Sequence, residues 1–101
     1  MAWPFTTPAS APTSFAGPGA AVPTSPTEIG GGVAVALLGA HFTNQAAVSR
    51  TVTLTNTAGT LLASIEIPPG VEHPYEWPFR PSVGLKWSAS GANVVGHVWG
   101  Y

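Results

Sequence analysis

The residues equipped for acid–base or metal chemistry are three histidines, His41, His73 and His97, and four glutamates, Glu28, Glu66, Glu72 and Glu76. A zinc site needs three or four convergent ligands, ideally two of them on one element at a spacing that shares a face. No two of the histidines stand at such a spacing, and the sequence contains no cysteine to complete a set. His41 and His97 would meet only if the first and last strands of the body were neighbours. The glutamates offer an acid–base pair in principle, but such a pair needs a cleft of defined width that buries one carboxyl. Glu66 falls on the outward side of an alternating run, and Glu72 and Glu76 flank a proline-rich stretch, so solvated or interface carboxylates are expected. Serine is plentiful, yet there is no Gly-x-Ser-x-Gly turn and no aspartate anywhere. Gly30, Gly31 and Gly32 resemble a phosphate cradle only superficially, because no helix follows to supply an N-terminal dipole. The expectation is a protein with no catalytic centre, no metal and no cofactor.

One cluster has a binding chemistry of its own. Tyr75, Trp77 and Phe79 lie close together, with Trp87 and Trp99 further along. Aromatic rings left exposed on a β-protein can stack on sugars or fill pockets on a partner. Large aromatics on strands equally supply burial, and that reading is favoured for Trp87 and Trp99. Tyr75, Trp77 and Phe79 are taken as contacts of the body.

The elements that must carry these residues are strands. Residues 33–43 (VAVALLGAHFT) form a near-continuous apolar run, as a central strand does. Residues 48–55 (VSRTVTLT) and 61–67 (LLASIEI) alternate apolar and polar, and a turn-rich segment of hairpin length joins them. Pro68, Pro69 and Gly70 stop the second of these runs. Residues 71–81 (VEHPYEWPFRP) hold three prolines, so an irregular or edge strand is expected there rather than a central one. Residues 83–89 and 93–101 complete the set, with a turn at residues 90–93. No segment reads as a helix. The predicted fold is all-β: a compact antiparallel β-sandwich or barrel of five to six strands over residues 33–101.

Residues 1–32 read differently. They carry six prolines, no strand-like run and no ionisable side chain before Glu28. Proline removes backbone donors, and small residues bury too little to offset the ordering cost. The expectation is an extended Pro-rich N-terminal arm, with the three glycines as its hinge and Trp3, Phe5 and Phe15 as anchors that fill pockets on a partner.

Composition supports a life among other subunits. Of 101 residues, only 7% are charged, against about 25% in an ordinary domain. A surface so short of solvating groups is expected to be covered by partners. Arg50, Arg80 and Lys86 are dispersed, which excludes the basic footprint of a nucleic-acid protein and gives no grip on an anionic membrane. A body of about 70 residues without disulfides leans on oligomerisation. The N-terminus lacks the basic and apolar blocks of a secretory signal, so synthesis and assembly in the cytoplasm are expected.

The C-terminal block GLKWSASGANVVGHVWGY, preceded by SIEIPPGVEHPYEWPF, resembles small β-sandwich proteins of tailed-bacteriophage structural gene clusters. The resemblance covers residues 33–101 and is one of phrase, not of a catalytic motif. Within that setting a proline-rich arm implies a capsid decoration (cement) protein. Such a protein would sit on the head as a trimer or at capsomer junctions, with the major capsid protein or another virion protein as partner. Two alternatives accompany it. One is a carbohydrate- or receptor-binding module on the virion surface, using residues 75–79; the other is a tail or baseplate component.

Overall fold

The computed structural model describes residues 12–101, with the side chains of residues 78 and 79 outside the description. Among these residues there are six strands and no helix: β1 (Thr13–Ala21), β2 (Thr27–Asn44), β3 (Arg50–Thr55), β4 (Leu61–Ile67), β5 (Glu72–Ala89) and β6 (Val94–Gly100). They form one antiparallel sheet in the order β1-β6-β2-β5-β3-β4. The expectation of a compact, all-β, antiparallel chain holds.

Two separate sheets are not what makes it compact. β2 and β5, each 18 residues long, are paired from Thr27↔Trp87 to Thr43↔Glu72. The β2–β5 ladder slips register between Ile29 and Ala34 and again between Leu37 and Gly39. Such irregularities bend a strand and increase its twist. β6 pairs with β2 on one side of the bends (residues 37–44), and β3 pairs with β5 on the other (residues 86–89). The two halves fold towards each other: Phe42 and Trp87 have ring centroids 6.3 Å apart, although their ladder partners are His73 and Thr27. The shortest principal axis, 19 Å, accommodates two β layers at the usual spacing of ~10 Å.

The core is built by alternation along β3 and β6, interrupted in β2 and β4 where neighbouring residues are both buried. Phe42, Val52, Leu54, Ile67, Leu85, Val94 and Val98 are fully buried, as are Leu37 and Ala40. Gly96 makes this packing possible. It is the ladder partner of Phe42, and a Cβ on it would strike the Phe42 ring and come within 3.3 Å of Trp87.

Buried Asn44 ties three segments at the end of β2. Its Nδ2 donates to the carbonyls of Val48 (2.9 Å), Ile67 (2.9 Å) and Pro68 (3.2 Å), and its Oδ1 accepts from the Ala46 amide (2.9 Å). The Asn44 main chain adds bonds to Val71 and Gly70.

One reading of the sequence is corrected. Residues 12–32 are not an arm ending in a hinge. Thr13–Ala21 pairs with β6, and Gly30, Gly31 and Gly32 lie within β2. Their positive φ values, 72–79°, are conformations open to glycine, so the run contorts the strand rather than freeing it. β1 gains its place because β6 offers it an open ladder edge; its own apolar content is small. Residues 72–81 belong to the long strand β5 and form an open, irregular edge of the sheet, in line with the reading of an irregular or edge strand. Their prolines are tolerated because this stretch is paired only with β2, β3 joining β5 only from Lys86 onward.

Candidate functional site

The face of β2, β5 and β6 that turns away from the core gathers two of the three histidines and two of the four glutamates. Alternation sets its membership. Val94, Gly96, Val98 and Gly100 of β6 are buried, leaving Val95, His97 and Trp99 on the opposite face. On β2 the same face carries Thr43, His41 and Gly39, and on β5 it carries Glu72, Pro74 and Glu76. His41 and His97 are direct ladder partners, the adjacency that the sequence made conditional on neighbouring strands. His41 Nε2 lies 3.6 Å from Glu72 Oε2, an ion pair when the imidazole is protonated. The Glu72 side chain is 68% exposed, which makes this a weak surface interaction.

Trp99 is fixed in place by what is absent opposite it. Its ladder partner is Gly39, and a Cβ there would collide with the indole, Trp99 Cε2 lying only 2.8 Å from the position. The indole therefore rests against the sheet backbone. His97 packs beside it, with ring centroids 4.8 Å apart. β1 closes the other side, where Pro18 sits between two glycines of positive φ, Gly17 and Gly19. The result is a groove of about 370 Å³ lined by Pro18, His41, Thr43, Val95, His97 and Trp99. A second depression of about 440 Å³ continues from it past Pro18, His97 and Trp99 towards Pro12 and Ser14.

Among the described residues no group of three His, Cys, Asp or Glu side chains is placed to hold a metal ion. His73 is on the other face of β5, with Nδ1 2.7 Å from the Pro74 carbonyl oxygen. His41 and Glu72 lie within ion-pair distance, but among the described residues no serine, threonine or second carboxylate is bonded to either. The arrangement can present rings, imidazole nitrogens and a hydroxyl to a ligand.

The aromatic residues singled out in the sequence are placed elsewhere. Tyr75 and Trp77 share the inward face of β5; Trp77 is buried, Tyr75 packs against the core, and their rings are 4.7 Å apart. Their inward position corrects the view of these two as surface contacts: with β5 continuous, alternation sends residues 72, 74 and 76 outward and residues 75 and 77 inward. Phe15 is half-buried on this chain's own sheet, its ring against Gly30 and close to Gly100. Trp3 and Phe5 lie outside the described residues, as does the Phe79 side chain. Trp87 is in the core, and Trp99 is the aromatic of the groove. The sequence reading missed the groove because Gly39 and Trp99, 60 positions apart, become partners only through the β2–β6 pairing.

A different surface feature lies where the β2–β5 ladder bends. Val33 and Val83 are 60% and 71% exposed, and Val48, Leu61 and Val71 are exposed elsewhere. The nearby Gly84 has φ +74°, and the turn between β3 and β4 packs onto it, the Thr57 amide donating to the Val83 carbonyl at 3.1 Å. No family model, curated protein or solved structure matches this chain.

Proposed function

We propose that this protein works by assembly, as a virion structural subunit of the capsid-decoration kind. The observation that carries the reading is the combination of exposed Val33 and Val83 with a chain that is only 7% charged. Apolar side chains left in water with so few charges around them favour association with other subunits. The resemblance of residues 33–101 to small tailed-phage structural proteins supplies the setting, with the major capsid protein as partner and a trimer as the favoured self-assembly. The tail or baseplate remains the other address within the same logic.

Light scattering on the full chain tests the assembly step. An oligomer at micromolar concentration is the expected result, and its mass should not change between low and high salt because few charges contribute. A monomer that also fails to cosediment with assembled phage heads and tails overturns the proposal. The full chain is required: removing residues 1–27 would strip β1 from β6 as well.

A further inference from the structure

We propose that the groove between β1 and the β6–β2 face is a binding site for neutral pyranose oligosaccharides, anchored on Trp99. This goes beyond the assembly reading and is independent of it.

The chemistry of the lining selects the ligand class. Trp99 offers a flat apolar ring, immobilised over Gly39 and flanked by Pro18 and Val95. Rings held in this way are effective anchors, because little side-chain entropy is lost when something packs on them. Around that ring stand hydrogen-bonding groups that can both donate and accept: the imidazoles of His41 and His97 and the hydroxyl of Thr43. Glu72, beside His41, adds an acceptor at the rim. No lysine or arginine lines either depression, so a phosphate, sulfate or carboxylate would find no counter-charge. No carboxylate is among the described residues that line either depression, which argues against a cation as the main ligand. A ligand that fits has one apolar C–H face, several hydroxyls and no net charge, and a pyranose ring has all three. The groove volume, about 370 Å³, lies in the range of small-molecule sites. Its continuation of about 440 Å³ past Trp99 leaves room for a second ring, which favours an oligosaccharide over a monosaccharide.

The test is a screen of the full chain against a glycan array carrying neutral and acidic oligosaccharides, followed by titration of any bound neutral glycan by calorimetry. The expected result is binding of neutral hexose oligosaccharides in the micromolar-to-millimolar range. Trp99→Ala should weaken it about tenfold or more, the scale of truncating an aromatic anchor. Because Trp99→Ala exposes Gly39, circular dichroism checks its fold, and Thr43→Val serves as a second, nearly isosteric variant with a several-fold loss expected. Failure of the folded wild-type chain to bind any neutral glycan at millimolar concentration overturns the proposal. So does binding confined to acidic glycans, or binding that both variants retain in full.

Discussion

Asn44→Ala should be among the most damaging single substitutions in this chain, although it lies in neither the groove nor the apolar core. The side chain is fully buried and bonds to four main-chain groups in two segments, residues 46–48 and 67–68. Two of these partners, the Ile67 carbonyl and the Ala46 amide, are themselves in buried contacts; the Val48 and Pro68 carbonyls are partly open to water. Truncation leaves the two buried groups dry, at about 1–3 kcal/mol each, while the other two can turn to solvent. The expected loss is about 3–5 kcal/mol, a large part of the roughly 5–15 kcal/mol that holds a typical domain together. In urea denaturation the midpoint should fall with an unchanged slope, and the melting temperature should drop by roughly 15 °C or more. Asn56→Ala is the matched control. Asn56 Oδ1 accepts from the Thr60 amide at 2.9 Å in an exposed turn, so water can replace it, and the loss should stay below about 1 kcal/mol. Equal losses for the two variants would refute the reasoning.

Asn44→Asp sharpens the same test by adding a sign. It keeps the shape but points a carboxyl at the carbonyl oxygens of Val48, Ile67 and Pro68. Burial and those dipoles must raise the folded-state pKa of the introduced carboxyl above its unfolded value of about 3.9. The variant is then least destabilised below that unfolded value, where the protonated carboxyl restores one donor. It loses stability as pH rises through the raised folded pKa. A variant whose deficit relative to wild type shrinks between pH 4 and 7 would contradict this account.

Gly84→Ala should cost roughly 2–4 kcal/mol, because φ is +74° and the new Cβ would meet Thr57 Oγ1 and sit 3.0 Å from Thr57 Cβ. Adding Thr57→Ala should return the steric part alone, measurable as a coupling energy in a double-mutant cycle. Trp77→Phe should change stability by less than about 1 kcal/mol, since the buried Trp77 Nε1 has no hydrogen-bond partner among the described residues and its removal offsets the lost ring area; a loss above about 3 kcal/mol would reveal a partner. Gly39→Ala should leave the inner core intact but lift Trp99 off the sheet, visible as a red shift in tryptophan emission; an unchanged spectrum would mean the indole does not depend on that gap.

Strand β4 was read from the sequence with the bounds it has in the structure, Leu61–Ile67, because an alternating run ends at Pro68 and Pro69. Strand β6 was legible to within a residue at each end because a Gly- and Asn-containing turn at residues 90–93 precedes it. What could not be read was pairing. Residues 13–21 have no β pattern of their own, and they join the sheet because β6 leaves an edge open to them. Residues 72–81 were legible as an irregular or edge stretch from their prolines, and one side of the strand is unpaired there. What the prolines hid was the alternation along β5, which turns Tyr75 and Trp77 towards the core. The histidine pair was visible only as a condition, since one-dimensional spacing cannot reveal that His41 and His97 share a rung.

The inner and outer faces of the β2–β6 pair use one device twice, and this bears on how the groove can act. Phe42 covers Gly96 on the inside, and Trp99 covers Gly39 on the outside, each aromatic lying across its own glycine ladder partner. Cross-strand packing of this sort holds an aromatic against the sheet and protects the weak point a glycine makes in a strand. On the inside the device closes the core. On the outside nothing among the described residues covers the ring in turn, so the same rigidity yields a fixed, half-exposed indole with His97 at its side. A side chain kept only to rescue Gly39 could be any large aromatic, whereas one kept to bind needs its ring size and its neighbours. Trp99→Phe therefore separates the two roles. Stability should stay within about 1 kcal/mol of wild type, because a phenyl ring still covers the glycine. Oligosaccharide affinity should fall several-fold with the loss of stacking area. A variant that loses stability but binds as tightly as wild type would assign Trp99 to the sheet alone.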